Sequence, residues 1–209
     1  MRKLFKVFIG ILVLSSLFIG CNDDDDDQDK NNVLKVEDVT YDLKDGLLLN
    51  SGEDDGSWEM EWDGYWYMLA LVSFDVDTEN VPGGQQVILF NLFSSNATAL
   101  DSGDYTFDLT SPFAVKTFTT SGYSVNFDPD IEPEDPDDIM ENLVLIVSGT
   151  VSVGKNGTTY EIDANCKDIN GKTVKAYYKG TLDYFDFEDW LTDSKMPPTF
   201  SKILMKSKK

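Results

Sequence analysis

The chain has 209 residues, of which 38 are Asp or Glu, 17 are Lys or Arg and none is His, so its formal net charge at pH 7 is −21. A chain this acidic is not expected to bind nucleic acid, because contacts to phosphates need a basic surface. The lack of histidine removes the usual general base, the Ser-His and Cys-His nucleophile pairs and most zinc sites, which argues against catalysis.

Residues 1–20 have the pattern of a secretory signal peptide. Arg2, Lys3 and Lys6 precede an apolar run from position 7 to position 20. A membrane-spanning helix needs about 20 apolar residues, and this run is shorter and is interrupted by Ser15 and Ser16. The pattern therefore favours a cleaved signal peptide over an uncleaved membrane anchor.

The end of this segment, Leu17-Phe18-Ile19-Gly20-Cys21, resembles the lipobox of bacterial lipoproteins. In that family, signal peptidase II cleaves before the cysteine, and the new N-terminal cysteine carries the lipid. The resemblance implies that Cys21 is the lipid attachment site and that acyl chains such as palmitate hold the protein at a membrane. Phe18 departs from the Leu that is usual at its position.

Five consecutive aspartates, Asp23 to Asp27, follow the cysteine. Like charges repel one another, so residues 21–32 are predicted to form an extended, flexible tether. An acidic run at this place also resembles the surface-export signal of Bacteroidetes-type lipoproteins, which implies an outer-membrane protein that faces the cell exterior. The plain tether and the export signal remain two open interpretations.

Residues 33–200 are predicted to form one all-β domain, with a basic tail at 201–209. About ten short strands separated by turn residues are typical of an antiparallel β-sandwich or a partly closed barrel. Phe187, Trp190 and Leu191 have the spacing of one helical turn, so a short helical turn near 187–191 is expected to cover the second face of the central sheet. With Cys21 lipidated, Cys166 has no partner for a disulfide.

The stretch 58–74 is predicted to be the centre of the sheet. Its Asp63-Gly64 pair is typical of a two-residue hairpin turn, which would place Trp62 opposite Tyr65. The strand that follows, 65–74, is apolar on both faces, as is the strand 87–93, so both are expected to be covered on both sides.

Other segments predict further strands. Leu34 to Leu43 alternates loosely and predicts one strand with a bulge, and 47–50 predicts a short second strand. The segments 113–119 and 123–127 flank Ser121-Gly122 as a predicted hairpin. The segments 143–153, 159–166 and 173–182 predict a three-stranded meander with one dry face, on which Cys166 is expected to pack.

Four aromatic residues are the candidate ligand-binding face: Trp58, Trp62, Tyr65 and Tyr67. If the Asp63-Gly64 hairpin forms, they share one side of it, where aromatic rings could stack on sugars. The alternative is that they belong to the core, because aromatic side chains bury about 150–250 Å² each and dominate protein interiors. The exposure of these rings decides between the two hypotheses.

The acidic loop 128–138 is the candidate cation site. Calcium takes about 6–8 oxygen ligands, and the loop offers carboxylates at Asp128, Asp130, Glu132, Glu134 and Asp135. Their spacing matches no EF-hand, and the loop's prolines favour an extended segment with its acids in water. Calcium is thus the one cofactor that the sequence leaves open.

A carboxylate pair is the candidate catalytic group. Glu59 and Glu61 would lie about 7 Å apart on one face of a strand, which is compatible with a glycoside hydrolase. Acidic chains contain such pairs by chance.

Three segments together, 63–71, 100–107 and 174–182, resemble uncharacterised Bacteroidetes-type surface lipoproteins with a single β-sandwich domain. The resemblance implies a fold and a surface location, and it transfers no catalytic residue. The function expected first is a binding module for glycans or host protein. A structural or adhesin-type component of a surface assembly is the alternative, and a hydrolase is the third.

Overall fold

The computed structural model describes residues 31–54, 56, 61–77, 81–128 and 142–186. This part of the chain is all-β, which confirms the predicted fold class. It contains eleven strands: β1 Val33–Val36, β2 Val39–Asp42, β3 Asp45–Glu53, β4 Tyr65–Val72, β5 Gln85–Ser94, β6 Gly103–Phe107, β7 Thr117–Phe127, β8 Val144–Asn156, β9 Thr159–Asp168, β10 Thr173–Thr181 and β11 Asp183–Asp186. Among these residues no helix is long and apolar enough to cross a membrane. The predicted signal peptide, most of the tether, the helical turn near 187–191 and the basic tail lie outside the described residues.

The strands form one mixed sheet in the order β11-β3-β4-β5-β7-β6-β8-β9-β10-β1-β2. Most neighbours are antiparallel, while β11 with β3 and β6 with β7 are parallel. The sheet curls into a half-barrel, so that β3 approaches β10. At this approach Gly46 lies so close to Tyr178 and Leu182 that a Cβ atom would clash with Leu182.

The concave side of the sheet holds the main core. Strands from both halves contribute fully buried side chains to it, including Tyr67 and Leu69 of β4, Phe90 of β5 and Ile162 of β9. In β9 buried and exposed residues alternate strictly, with Tyr160, Ile162, Ala164 and Cys166 inside. The predicted meander and its dry face are confirmed.

The convex side of β3, β4 and β5 carries a second apolar cluster. Leu47, Ala70 and Val72 are fully buried there, and Phe74 and Val76, just after β4, pack onto the same cluster. The prediction that strands 65–74 and 87–93 are central and covered on both faces is therefore confirmed for β4 and β5.

The predicted bulged strand from Leu34 to Leu43 is wrong. The chain instead turns at Glu37 and Asp38, so that β1 and β2 form an antiparallel hairpin. Glu37 has φ 53°, an uncommon value for a residue other than glycine. It is held there by its N–H, which donates to Thr173 O at 2.9 Å, and by its carboxylate, which accepts from Thr173 N at 2.6 Å. The break in alternation thus marks a turn.

The predicted strand 47–50 is confirmed as part of a longer strand, whereas the predicted hairpin at Ser121-Gly122 is wrong. β3 extends over Asp45–Glu53, and β7 runs without interruption through both residues of the supposed turn. Gly122 lies opposite Leu89 of β5 and Leu145 of β8, so pairing on both sides keeps it extended. Turn residues in a sequence permit a turn, and sheet pairing decides whether it forms.

Candidate functional site

The predicted hairpin at Asp63-Gly64 does not form its ladder. Tyr65 lies between Glu53 of β3 and Ser94 of β5, so both sides of its strand are already paired. Trp62 instead makes a parallel bridge with Phe113. Asp63 N donates to Phe113 O at 2.8 Å, and Phe113 N donates to Glu61 O at 2.9 Å.

The structure does not assemble the predicted aromatic face. Trp62 is only 5% exposed, Tyr67 is fully buried in the main core and Tyr65 is half-buried on β4, while Trp58 lies outside the described residues. Tyr67 also donates its hydroxyl to Asn96 O at 2.8 Å, and burial raises its pKa strongly. Trp62 and Tyr67 are therefore core residues, as the alternative hypothesis expected.

Trp62 belongs to a separate aromatic cluster with Trp66, Phe93 and Phe113. Its ring lies 5.6 Å from that of Trp66 in an edge-to-face contact, and Phe93 stacks on Phe113 at 5.1 Å. The indole N–H of Trp66 donates to Asn91 Oδ1 at 3.0 Å. Among the described residues, the indole N–H of Trp62 and the hydroxyl of Thr119 are the buried side-chain polar atoms without a hydrogen-bond partner.

The candidate cation and catalytic residues fall mainly outside the described residues. Asp128 is described and packs beside Gly83, whereas Asp130, Glu132, Glu134 and Asp135 are not described. Of the candidate catalytic pair, Glu61 is exposed and Glu59 lies outside. Within the described ranges no three acidic or cysteine side chains come together as a metal site. The calcium prediction thus stays a prediction about the loop 128–138.

Cys166 is 2% exposed and faces the main core. Burial raises the pKa of its thiol to about 12, and only a long contact of 3.8 Å to Thr150 O acts in the opposite direction. Because the thiolate is the reactive form, the expectation that Cys166 serves packing and not chemistry is supported.

In the described part of the chain, the main core opens to solvent between β2 and β7, and we name this opening the β2–β7 groove. It has a volume of about 390 Å³, within the usual range for ligand pockets of about 300–1,000 Å³. Its lining residues are Val36, Glu37, Val39, Tyr41, Tyr123, Ser124, Val125, Asn126, Val144 and Lys172. Six of these ten residues are apolar or aromatic, and four are polar or charged.

The groove exists because β2 ends the sheet. β2 pairs with β1 alone among the described strands, and Val39 is 53% exposed. On the opposite wall, the pairing of β8 with β7 ends at Tyr123, so the part of β7 that follows has no neighbour on that side among the described strands. The sheet therefore stops short of closing, and apolar side chains of its concave face reach solvent there.

One wall of the groove is fixed by a buried carboxylate. Tyr123 donates its hydroxyl to Asp168, which is 1% exposed and also accepts from the backbone N–H groups of Asn170 and Lys172. Burial by itself raises the pKa of Asp168, but the hydrogen bonds from Lys172, Tyr123 and Asn170 outweigh it, so the net pKa lies below the ordinary value. Burial and the hydrogen bond to Asp168 together raise the pKa of Tyr123. Asp168 thus shapes the turn that carries Lys172 to the groove.

A second depression of about 360 Å³ lies at the end of the β8–β9 hairpin. Its charged groups already satisfy one another: Lys179 Nζ lies 3.2 Å from Glu161, Tyr177 donates to Glu161 at 2.9 Å, and Lys155 lies over the ring of Tyr160. A ligand would have to break these contacts, so this depression is the weaker candidate.

Sequence reasoning missed the groove residues. The one available sign was the break in alternation around Val39, which marks an apolar residue beside a turn. Tyr123 and Tyr41 carried no sign, because they meet only through the curl of the sheet.

Comparisons of the chain with protein-family models, with curated proteins and with solved structures found no match.

Proposed function

We propose that this protein is a lipid-anchored cell-surface module that binds a protein ligand in the β2–β7 groove. The observation that carries the proposal is a groove lined by four valines and two tyrosines, placed directly beside a sheet edge that no other described strand pairs with. Exposed strand edges receive polypeptides through main-chain hydrogen bonds, while neighbouring pockets receive their side chains. A structural component of a surface assembly is the second candidate, because it would use the same edge.

The placement of the aromatic residues supports a protein ligand over a glycan. Stacking on sugars needs exposed ring faces, whereas Trp62 and Tyr67 are buried. The groove carries Tyr41 and Tyr123 among aliphatic side chains, and Tyr123 is buried too. Such a surface suits apolar side chains better than it suits hydroxylated rings.

The surface location rests on the sequence of residues 1–32. In the producing cell, Cys21→Ala is expected to abolish palmitate labelling and to release the protein from the membrane fraction. Cys166→Ala is the matched control, since its thiol is buried, and it should keep both properties. Membrane retention of the Cys21→Ala protein would point to an uncleaved membrane anchor. Protease treatment of intact cells then tests whether the domain faces the exterior.

The binding function is tested with random peptides displayed on phage and the full-length protein in detergent micelles. Enriched peptides should lose binding to Val39→Lys, which puts a charge on the groove wall. They should keep binding to the control Leu109→Lys, a similarly exposed apolar site that does not line the groove. No enrichment, or enriched peptides that bind Val39→Lys unchanged, would overturn the proposal. In the latter case a glycan array becomes the next experiment.

A further inference from the structure

The edge strand β2 allows a more specific inference about the ligand, and this inference rests on the proposed function. We propose that the groove receives an extended strand of a partner protein that pairs with β2, with alternate apolar side chains in the groove and Lys or Arg at its ends.

The main chain of β2 is oriented for this pairing. Val36 and Val39 are the paired residues next to the hairpin turn. Along an antiparallel strand, the backbone N–H and C=O groups of successive residues point alternately to one neighbouring strand and to the other side. Val39 and Tyr41 therefore turn their backbone groups to β1, and Thr40 and Asp42 turn theirs away from it. The hydrogen bond from Glu37 N to Thr173 O on the far side of β1 agrees with this phase. Among the described residues, the N–H and C=O groups of these two residues of β2 have no strand to pair with.

The side chains of β2 set the pattern of the incoming strand. Val39 and Tyr41 line the groove, and Thr40 lies opposite Lys35 on the outer face. Because side chains alternate between faces with a period of two residues, the incoming strand places every second residue over the groove. Apolar residues are favoured at those positions, since the walls opposite are Val125 and Val144.

The charge at the edge selects basic ends. Asp38 and Asp42 flank the exposed part of β2, and both are exposed. The lysines nearest to them in the sequence are less available to offset this charge, because Lys35 lies on β1 and Lys44 pairs with Asp75 at 3.3 Å. Lys172 lines the groove from the β9–β10 turn. Opposite charges across strands stabilise pairing, so Lys or Arg at the ends of the incoming strand fits this edge.

A second copy of this chain fits the edge less well. Two β2 strands paired antiparallel around Thr40 would place Asp38 opposite Asp42 at both ends. Like charges directly opposite one another destabilise a strand pair, and the chain as a whole is strongly acidic, with a formal net charge of −21 over the full sequence.

The test uses fluorescence anisotropy with full-length protein and a labelled peptide of about nine residues, long enough to cover β2 and its flanks. The peptide has two Lys at each end and Val alternating with Thr between them. One comparison peptide has Glu in place of Lys, and another has Pro at the centre, which removes a donor from the strand ladder. We expect the Lys peptide to bind about tenfold tighter than either comparison peptide. The Glu peptide loses two cross-strand charge pairs, and the Pro peptide loses part of its pairing with β2.

Protein variants locate the binding. Asp38→Asn with Asp42→Asn should weaken the Lys peptide about tenfold, while the control Asp77→Asn with Asp163→Asn changes the net charge equally and should leave the affinity unchanged. Thr40→Pro should abolish binding, and Thr40→Ala, which keeps the N–H, should not. Circular dichroism of Thr40→Pro checks its fold, and the peptide comparison stands independently of it.

Equal affinity for the Lys and Glu peptides, or undiminished binding of the Pro peptide, would overturn this inference. If phage peptides bind in the groove but lack basic ends or an alternating pattern, the proposed function stands and this inference fails. A monomer–dimer equilibrium in sedimentation that Thr40→Pro abolishes would replace the partner strand by a second copy and would overturn it as well.

Discussion

The hydroxyl of Tyr123 donates a 2.9 Å hydrogen bond to Oδ2 of Asp168, and this contact joins one wall of the β2–β7 groove to the turn between β9 and β10. The same carboxylate accepts from Asn170 N at 2.9 Å and from Lys172 N at 2.8 Å. A side chain that is almost completely buried thus organises two distant parts of the chain.

Tyr123→Phe removes one of these hydrogen bonds and leaves the carboxylate buried. Hydrogen bonds to charged groups contribute about 1.5–3 kcal/mol, so we expect the free energy of unfolding in urea to fall by that amount. Tyr177→Phe is the control, because the hydroxyl of Tyr177 donates to the exposed Glu161. This substitution should lower the free energy of unfolding by less than Tyr123→Phe does. An unchanged midpoint for Tyr123→Phe would contradict the assigned role of the pair.

Acid should destabilise the protein partly through Asp168. Its pKa is lowered in the folded state, so its contribution to stability is present above the unfolded value of about 3.9 and is lost as the pH falls through the lower folded-state pKa. Asp168→Asn should therefore have a shallower loss of stability over that acidic window than the native chain. Urea unfolding at several pH values measures the difference. If the stability of the two proteins fell equally with pH over this window, Asp168 would not be a cause of the acid destabilisation.

Trp62→Ala should lower the free energy of unfolding by about 3–5 kcal/mol, as truncation of other buried aromatic residues does. The reason is the cluster that its ring forms with Trp66, Phe93 and Phe113. Leu109→Ala, at a 62% exposed site, serves as the control and should change stability by less than about 0.5 kcal/mol. A stable Trp62→Ala protein that has lost glycan binding would restore the original aromatic-face hypothesis.

Gly149→Ala should be strongly destabilising. Its φ is +129°, and a Cβ atom there would collide with the backbone of Asn165 and Cys166. Backbone strain and overpacking together are expected to lower the free energy of unfolding by about 2–5 kcal/mol. Gly157 has φ +61° in open space, so Gly157→Ala should cost only about 1–2 kcal/mol. Thermal unfolding of the two variants makes the comparison, and equal costs would show that the close approach of β8 and β9 is unimportant.

Cys166 should react with iodoacetamide at pH 8 only when the protein unfolds. The thiol is buried and its pKa is raised to about 12, so almost no thiolate is present at that pH. Mass spectrometry of labelled peptides, with and without urea, follows the reaction. Rapid labelling of Cys166 in the native protein would mean that the dry face of β9 opens.

The sequence by itself determined the fold class, the meander and the central strands. In β9 polar and apolar residues alternate because one face is wet, and that pattern is readable from the residues alone. β4 and β5 are apolar on both faces, so their central position follows from the cost of exposing either face. The predicted lipobox, ending at Cys21, also rests on local residues alone, and it stays a prediction.

Only the tertiary structure decided which turns form and where the groove lies. Ser121-Gly122 and Asp63-Gly64 have local turn chemistry, but pairing of Gly122 and Tyr65 with strands on both sides overrides it. Local preferences amount to about 1 kcal/mol, less than the pairing and burial gained by two neighbouring strands. The groove depends on Tyr41 and Tyr123, which lie far apart in the sequence and meet because the sheet curls and stops short of closing. No local pattern encodes that distance, since it follows from the order and twist of all the strands between them.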